Sequence, residues 1–206
     1  MKQLYLLLAK NQKNIKKLFL FSYIILIAMF IIGIWQYDNS TDIKFLYKEI
    51  AKKSGQISVG LLILTLIPGM LKRIGILGKF ESLLMLFRRQ LGVLAFFTAG
   101  SHLVFVSWIK QIATGTNPLL RFFKYQQTGF AAITIFLLLW ITSNDLSIKF
   151  LGKWWKYIQR LSYLSVIALI LHIFDAGSKI WIVLSVILTV EALSWFIFLI
   201  KSKMRK

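Results

Sequence analysis

The sequence predicts an all-α membrane protein, a six-transmembrane-helix bundle with both termini cytoplasmic. Three observations carry that expectation. Of 206 residues, 58% are apolar and only 16% charged. The apolar residues gather in six runs that approach the roughly 20 residues needed to cross a bilayer. Lys and Arg also alternate in density from loop to loop. A soluble domain of this size needs far more polar surface, and a disordered chain far fewer apolar residues. The net charge of +19 does not point to nucleic acid. With 17 Phe and 7 Trp set in unbroken apolar runs, the cations are loop charges beside lipid. The absence of Cys excludes a disulfide framework, a thiolate nucleophile, an iron–sulfur cluster and Cys-ligated zinc.

Residues 1–17 form a basic amphipathic segment in which Leu4, Tyr5, Leu7 and Leu8 precede Lys10, Lys13, Lys16 and Lys17. That layout suits a helix on an anionic leaflet, and equally an ordinary orientation signal. The six-helix domain follows over 18–200, then a basic tail over 201–206. The first span, 18–35, has the basic lead of a signal sequence, but its apolar run is too long and no small-residue cleavage site follows Trp35. It is expected to be retained. A short outer helix beginning at Thr41 or Asp42 should end near Gly55, read as a C-terminal cap. Spans two to six lie at 57–71, 91–109, 130–143, 161–174 and 180–200. The short ones are extended by interfacial aromatics such as Trp154, Trp155 and Tyr157. Eighteen Lys and Arg fall on the side holding both termini and eight on the other, which makes the termini cytoplasmic.

Internal repeats, linkers, and the P-loop, GxGxxG, HExxH, GxSxG and EF-hand motifs are all missing, so the chain carries no soluble nucleotide-binding module. Its chemistry must come from a few polar residues within the spans. The two histidines, His102 and His172, each lie 11 residues after the start of a span, the third and the fifth. Both helices run the same way, which puts both imidazoles roughly 16 Å above the inner boundary. A lone intramembrane His is more often a hydrogen-bonded structural residue. A matched pair can instead face across a flat macrocycle, the arrangement in which a bundle holds b-type haem. Zinc lacks further ligands at that depth. Ala95, Thr98, Ala99, Gly100 and Ser101 make the His102 helix narrow, for a bulky cofactor or for plain helix packing.

Glu191 is the only acid deep in a span, marking either a proton path or a cofactor contact, or else a protonated carboxyl bonded to a neighbouring helix, for instance through Ser194 or Thr189 of its own turn. Arg88, Arg89 and Arg160 form an inner basic rim suited to anionic lipid, a haem propionate or an acidic partner, or to anchoring alone. On the outer side, Arg121, Lys124 and Lys179 are candidate propionate partners or solvated loop charges.

The stretches RRQLGVLAFFTAGSHL (88–103), LGKWWKYIQRLSYLSVIALILH (151–172) and SGQISVGLLILTLIPGMLKRIG (54–75), with the ITSN turn after span four, resemble the ferric-reductase-like transmembrane domain. Within it they are most similar to the haem-binding membrane subunit of the bacterial periplasmic methionine-sulfoxide reductase system. The resemblance implies a multi-pass protein of the bacterial inner membrane that holds haem b between His102 and His172, with Arg88, Arg89, Arg121 and Lys124 as further cofactor-binding candidates. It implies no catalytic domain on this chain. Electrons would pass, with quinone as the candidate donor and flavin left open, to an extracytoplasmic redox protein such as a methionine-sulfoxide reductase. Gln159 stands where the family carries another His, and Arg89 where two-haem relatives carry an inner one, which implies one haem. The alternative reading is a small transporter or scaffold with packed histidines and Glu191 as its ionisable site.

Overall fold

The computed structural model describes residues 6–8, 10–35, 41–75, 78–114 and 124–204; the side chains of 26, 29–35, 41–46, 79–80, 108–114 and 124–125 lie outside that description. The described chain is all-helical: α1 (Gln12–Trp35), α2 (Thr41–Ile74), α3 (Lys79–Thr114), α4 (Lys124–Ile141), α5 (Asp145–Leu151), α6 (Lys153–Asp175) and α7 (Ile180–Met204). Among the described residues, four helices are long and apolar enough to cross a membrane, and a fifth span results if α4 and α5, bent by 90° at their junction, are one. The expected first span falls on α1, part of whose side chains are outside the description.

One expectation is corrected. Gly55 does not end a short outer helix: α2 runs without interruption from Thr41 to Ile74. Gly55 makes room for a neighbouring helix instead of supplying a left-handed cap, as the site geometry below shows. The glycines that do stop or turn helices have positive φ: Gly75 at 93°, Gly152 at 52° and Gly177 at 74°. At the end of α6, Ser178 N–H donates to Ile173 C=O and Gly177 N–H to Phe174 C=O. That pattern satisfies the last carbonyls around a left-handed residue, which glycine adopts without strain.

The main pairings are α2 with α3 and α4 with α6, with α7 against α2 and α6 and α1 against α3. Val59, Leu62 and Leu66 of α2 meet Phe136 of α4, Val166 of α6 and Leu184 of α7 in the central core. Outside, the usual pattern is inverted. On α7, Val183, Val186, Leu193 and Phe196 are more than half exposed while Glu191 and Ser194 are buried. Lipid is the solvent that accepts such a surface.

Glu191 is 3% exposed and forms a salt bridge with Arg73 of α2. Tyr163 Oη of α6 donates to the same carboxylate at 2.8 Å, Arg73 Nε donates to Ser194 Oγ at 2.9 Å, and the guanidinium lies 4.7 Å from the Trp195 ring centre. The deep acid is therefore partnered from across the bundle, and one charge pair binds three helices. Only Ser194, of the two local partners expected from sequence, joins this network. Removing one member of such a pair strands the other charge, which costs about 3–5 kcal/mol, whereas an apolar pair of similar volume is tolerated. Arg73→Met should lower the unfolding temperature in detergent sharply, and Arg73→Met combined with Glu191→Leu should recover most of the loss. A double variant no better than the single one would contradict this account.

Candidate functional site

The α2–α3 pair is closed by Ser58 Oγ donating to Ala95 C=O at 2.9 Å, a bond buried in the interface. Small residues let the helices approach, and two turns farther along α3 this places His102 against α2. Its Nδ1 lies 2.7 Å from the Ala51 carbonyl oxygen. A carbonyl only accepts, so Nδ1 carries the proton and Nε2 presents its lone pair, the tautomer a metal ligand requires. Gly55 makes this reach possible. It lies one helical turn after Ala51, and a Cβ there would come within 2.8 Å of His102 Nδ1.

The second histidine is seated the same way. His172, on the last turns of α6, packs on Gly129 of α4, where a Cβ would come within 2.8 Å of both Nδ1 and Cε1. Two helix pairs thus each lay an imidazole on a bare glycine. Between them the rings face each other, with centroids 6.2 Å apart and planes at 80°. Two metal–nitrogen bonds of about 2 Å, plus the distance from each ring centre to its nitrogen, span roughly 6 Å. Among the described residues, no three His, Cys, Asp or Glu gather as a metal site. Two imidazoles alone suit an iron whose remaining positions come from a macrocycle.

A cavity of about 330 Å³ opens beside the two rings, walled by apolar residues including Val59, Ala99, Phe136 and Leu169. The small-residue stripe of α3 divides between its two readings: Ala99 faces the cavity, while Ala95 is buried against α2. Polar side chains stand among the lining, Lys52 and Gln56 from α2 and Ser107 from α3. Lys52 was not singled out from sequence. Its spacing with Gly55, Gln56 and Val59 is that of one helix face, legible only once α2 is continuous through Gly55. Of the expected outer cations, Arg121 and the side chain of Lys124 lie outside the described residues, and Lys179 is exposed.

Arg88 and Arg89 do not line this cavity. They line a second one, of about 530 Å³, together with Gln159, Arg160 and Lys156. Phe136 borders both cavities. In the second, Gln159 Nε2 donates to Thr142 Oγ1 at 3.0 Å and Trp155 Nε1 to Thr142 C=O at 2.9 Å. Arg89 donates to Ser143 C=O and pairs with Asp145 at 2.7 Å. Gln159, Trp155 and Arg89 are thus committed to the break between α4 and α5, where Asn144 caps α5 by accepting from Ser147 N–H at 2.7 Å.

Residues 54–170 match the family described as "Ferric reductase like transmembrane component". The chain belongs to this family. The matched region covers more than half of the sequence, includes Gly55, His102 and Gly129, and stops two residues before His172. Ferric-reductase-like domains are typically haem-containing transmembrane electron-transfer components. No curated protein and no solved structure matches the chain.

The glycine seats supply a direct test of whether the ring positions matter. Gly55→Ala and Gly129→Ala should each reduce the haem-to-protein ratio of the purified protein severalfold. Gly60→Ala and Gly100→Ala, where a Cβ meets nothing within 4 Å, should retain it. Because alanine is the better helix former by about 0.5–1 kcal/mol, a loss at Gly55 or Gly129 cannot be assigned to propensity. Equal haem content in all four variants would show that ring placement does not govern binding.

Proposed function

We propose that this ferric-reductase-like protein is a b-type cytochrome subunit that holds one haem between His102 and His172. It would carry electrons from quinol to an extracytoplasmic redox protein, of which a methionine-sulfoxide reductase is an example. The observation that carries the reading is the facing pair of imidazoles, 6.2 Å apart and each seated on a glycine. When bound, the haem supplies one-electron chemistry between ferric and ferrous iron. The chain's residues do the rest. Ala51 C=O fixes the His102 tautomer, Gly55 and Gly129 set the ring positions, and the apolar wall of Val59, Ala99, Phe136 and Leu169 excludes water. Lys52 offers a cation for a propionate at the cavity edge.

A single haem is supported by the inner level, where Gln159 and Arg89 are bonded to the α4–α5 break. A quinol reaches the site through lipid without an inner relay, losing two electrons and two protons as it becomes quinone, the electrons leaving one at a time. The transport alternative loses its free acid, because Glu191 is held by Arg73 and Tyr163. In this reading the chain spans the inner membrane of a bacterium six times with cytoplasmic termini. His172, three residues from the end of α6, then lies near the outer face.

Replacing either His102 or His172 with Ala should abolish the low-spin spectrum, because one remaining imidazole leaves the iron five-coordinate. A pyridine haemochrome assay should give one haem per chain. Unchanged spectra in both variants, or two haems per chain, would overturn the assignment.

Topology is tested separately. A reporter fused after Lys206 should be active only in the cytoplasm, and one inserted near residue 40 only outside, as the 18-to-8 basic asymmetry requires. The reverse pattern would place the histidine cavity in the opposite half of the membrane.

A further inference from the structure

The second cavity has a chemistry of its own. Its lining includes four cationic side chains, Arg88, Arg89, Lys156 and Arg160, and no acid. Arg89 is neutralised by Asp145. Among the described residues, Arg88, Lys156 and Arg160 have no acidic partner; Arg160 instead lies over the rings of Tyr157 and Trp195, at 5.4 and 5.7 Å. Arg88 is further crowded by a like charge. A Cβ on Gly69 would lie 3.4 Å from Arg73 Nη1 and 4.0 Å from Arg88 Nη1, so both guanidinium groups occupy the space over this glycine. Arg73 is answered by Glu191, and Arg88 is not. Cations without an acidic partner that line one cavity beside an apolar wall suit an anion.

The rest of the lining says what kind of anion. Leu139 and Trp140 give the cavity an apolar wall, with Trp140 39% exposed at the surface. Ile148 of α5, the short helix turned by 90° from α4, also lines it. Leu146 and Phe150 of that helix are 78% and 92% exposed, and Trp154 just beyond is 63% exposed. Apolar and aromatic side chains displayed on a turned helix beside Lys149 and Lys153 are the pattern of an element lying in the membrane–water interface. The cations beside the α4–α5 break are therefore at headgroup level, and Leu139 and Trp140, one turn before the break on α4, face the acyl region.

We propose that this cavity binds one anionic phospholipid, its phosphate received by Arg88, Arg160 and Lys156 and an acyl chain lying along Leu139 and Trp140. The site is independent of the histidine pair, and its occupant bridges α3, α4 and α6 across the α4–α5 break.

The test is native mass spectrometry of the full chain released from nanodiscs made of equal parts phosphatidylglycerol and phosphatidylcholine. One phosphatidylglycerol should stay bound per chain and phosphatidylcholine should not. Arg88→Gln combined with Arg160→Gln should lower that retention by about tenfold or more, since each basic contact to an anionic headgroup counts for about one such factor or somewhat less. Lys13→Gln combined with Lys203→Gln, basic positions outside the cavity, should leave retention unchanged. Leu139→Trp narrows the apolar wall without touching a charge and should also release the lipid, which keeps the test valid if the double arginine variant does not fold. Equal retention of the two lipids, or wild-type retention in whichever cavity variants fold, would overturn the proposal. So would full displacement by millimolar inorganic phosphate, which would identify a site for free phosphate rather than for lipid.

Discussion

Hydrocarbon supplies no hydrogen-bond partner, so every polar group that this chain carries into its helices must find one inside the protein. That constraint accounts for the all-helical fold and for much of the detail within it. Hydroxyls turn back onto their own helix, as Thr98 Oγ1 does to Leu94 C=O, or cross to the next one, as Ser58 does to Ala95. The single deep acid is met by an arginine from another helix, a tyrosine and an aromatic face. Apolar side chains, with no such demand, are left on the outside. Van der Waals packing and a few polar links hold the bundle where the hydrophobic effect between helices is absent.

The same constraint shapes the histidine site. An imidazole between helices needs somewhere for each ring nitrogen to go. For His102, the Ala51 carbonyl takes one, which leaves Nε2 as the unprotonated nitrogen. Close approach to a helix backbone is available only where the side chain is missing, which is why both rings sit on glycine. The ring separation and tautomer follow from helix packing, and the packing from small residues at the α2–α3 contact.

The bundle thus carries two compartments of contrasting character stacked along its length. One is apolar with two imidazoles; the other is cationic and lies at the interfacial helix. Phe136, in the central core, borders both. Where the family resemblance would place an inner ligand, Gln159 is instead bonded to the helix break, and the arginines nearby serve the α4–α5 turn and the cationic cavity.

Sequence alone determined the class of structure, because the length and apolarity of a span are set by bilayer thickness and need no knowledge of neighbours. It also made His102 and His172 legible as a pair, since equal rise per residue converts equal offsets into equal depth. Tertiary structure alone decided which helix face each residue meets. Gly55 reads locally as a helix end, yet it lies inside a 34-residue helix because its missing side chain is used by an imidazole 47 positions away. Lys52 was hidden by the same misreading, and Arg73 had no visible link to Glu191, 118 residues along the chain. Arg88 and Arg89 were grouped correctly with Arg160 as a basic rim, but their distance from the histidine cavity was not legible. Periodicity reports which residues share a face of one helix; which two faces meet is set by packing between helices far apart in sequence.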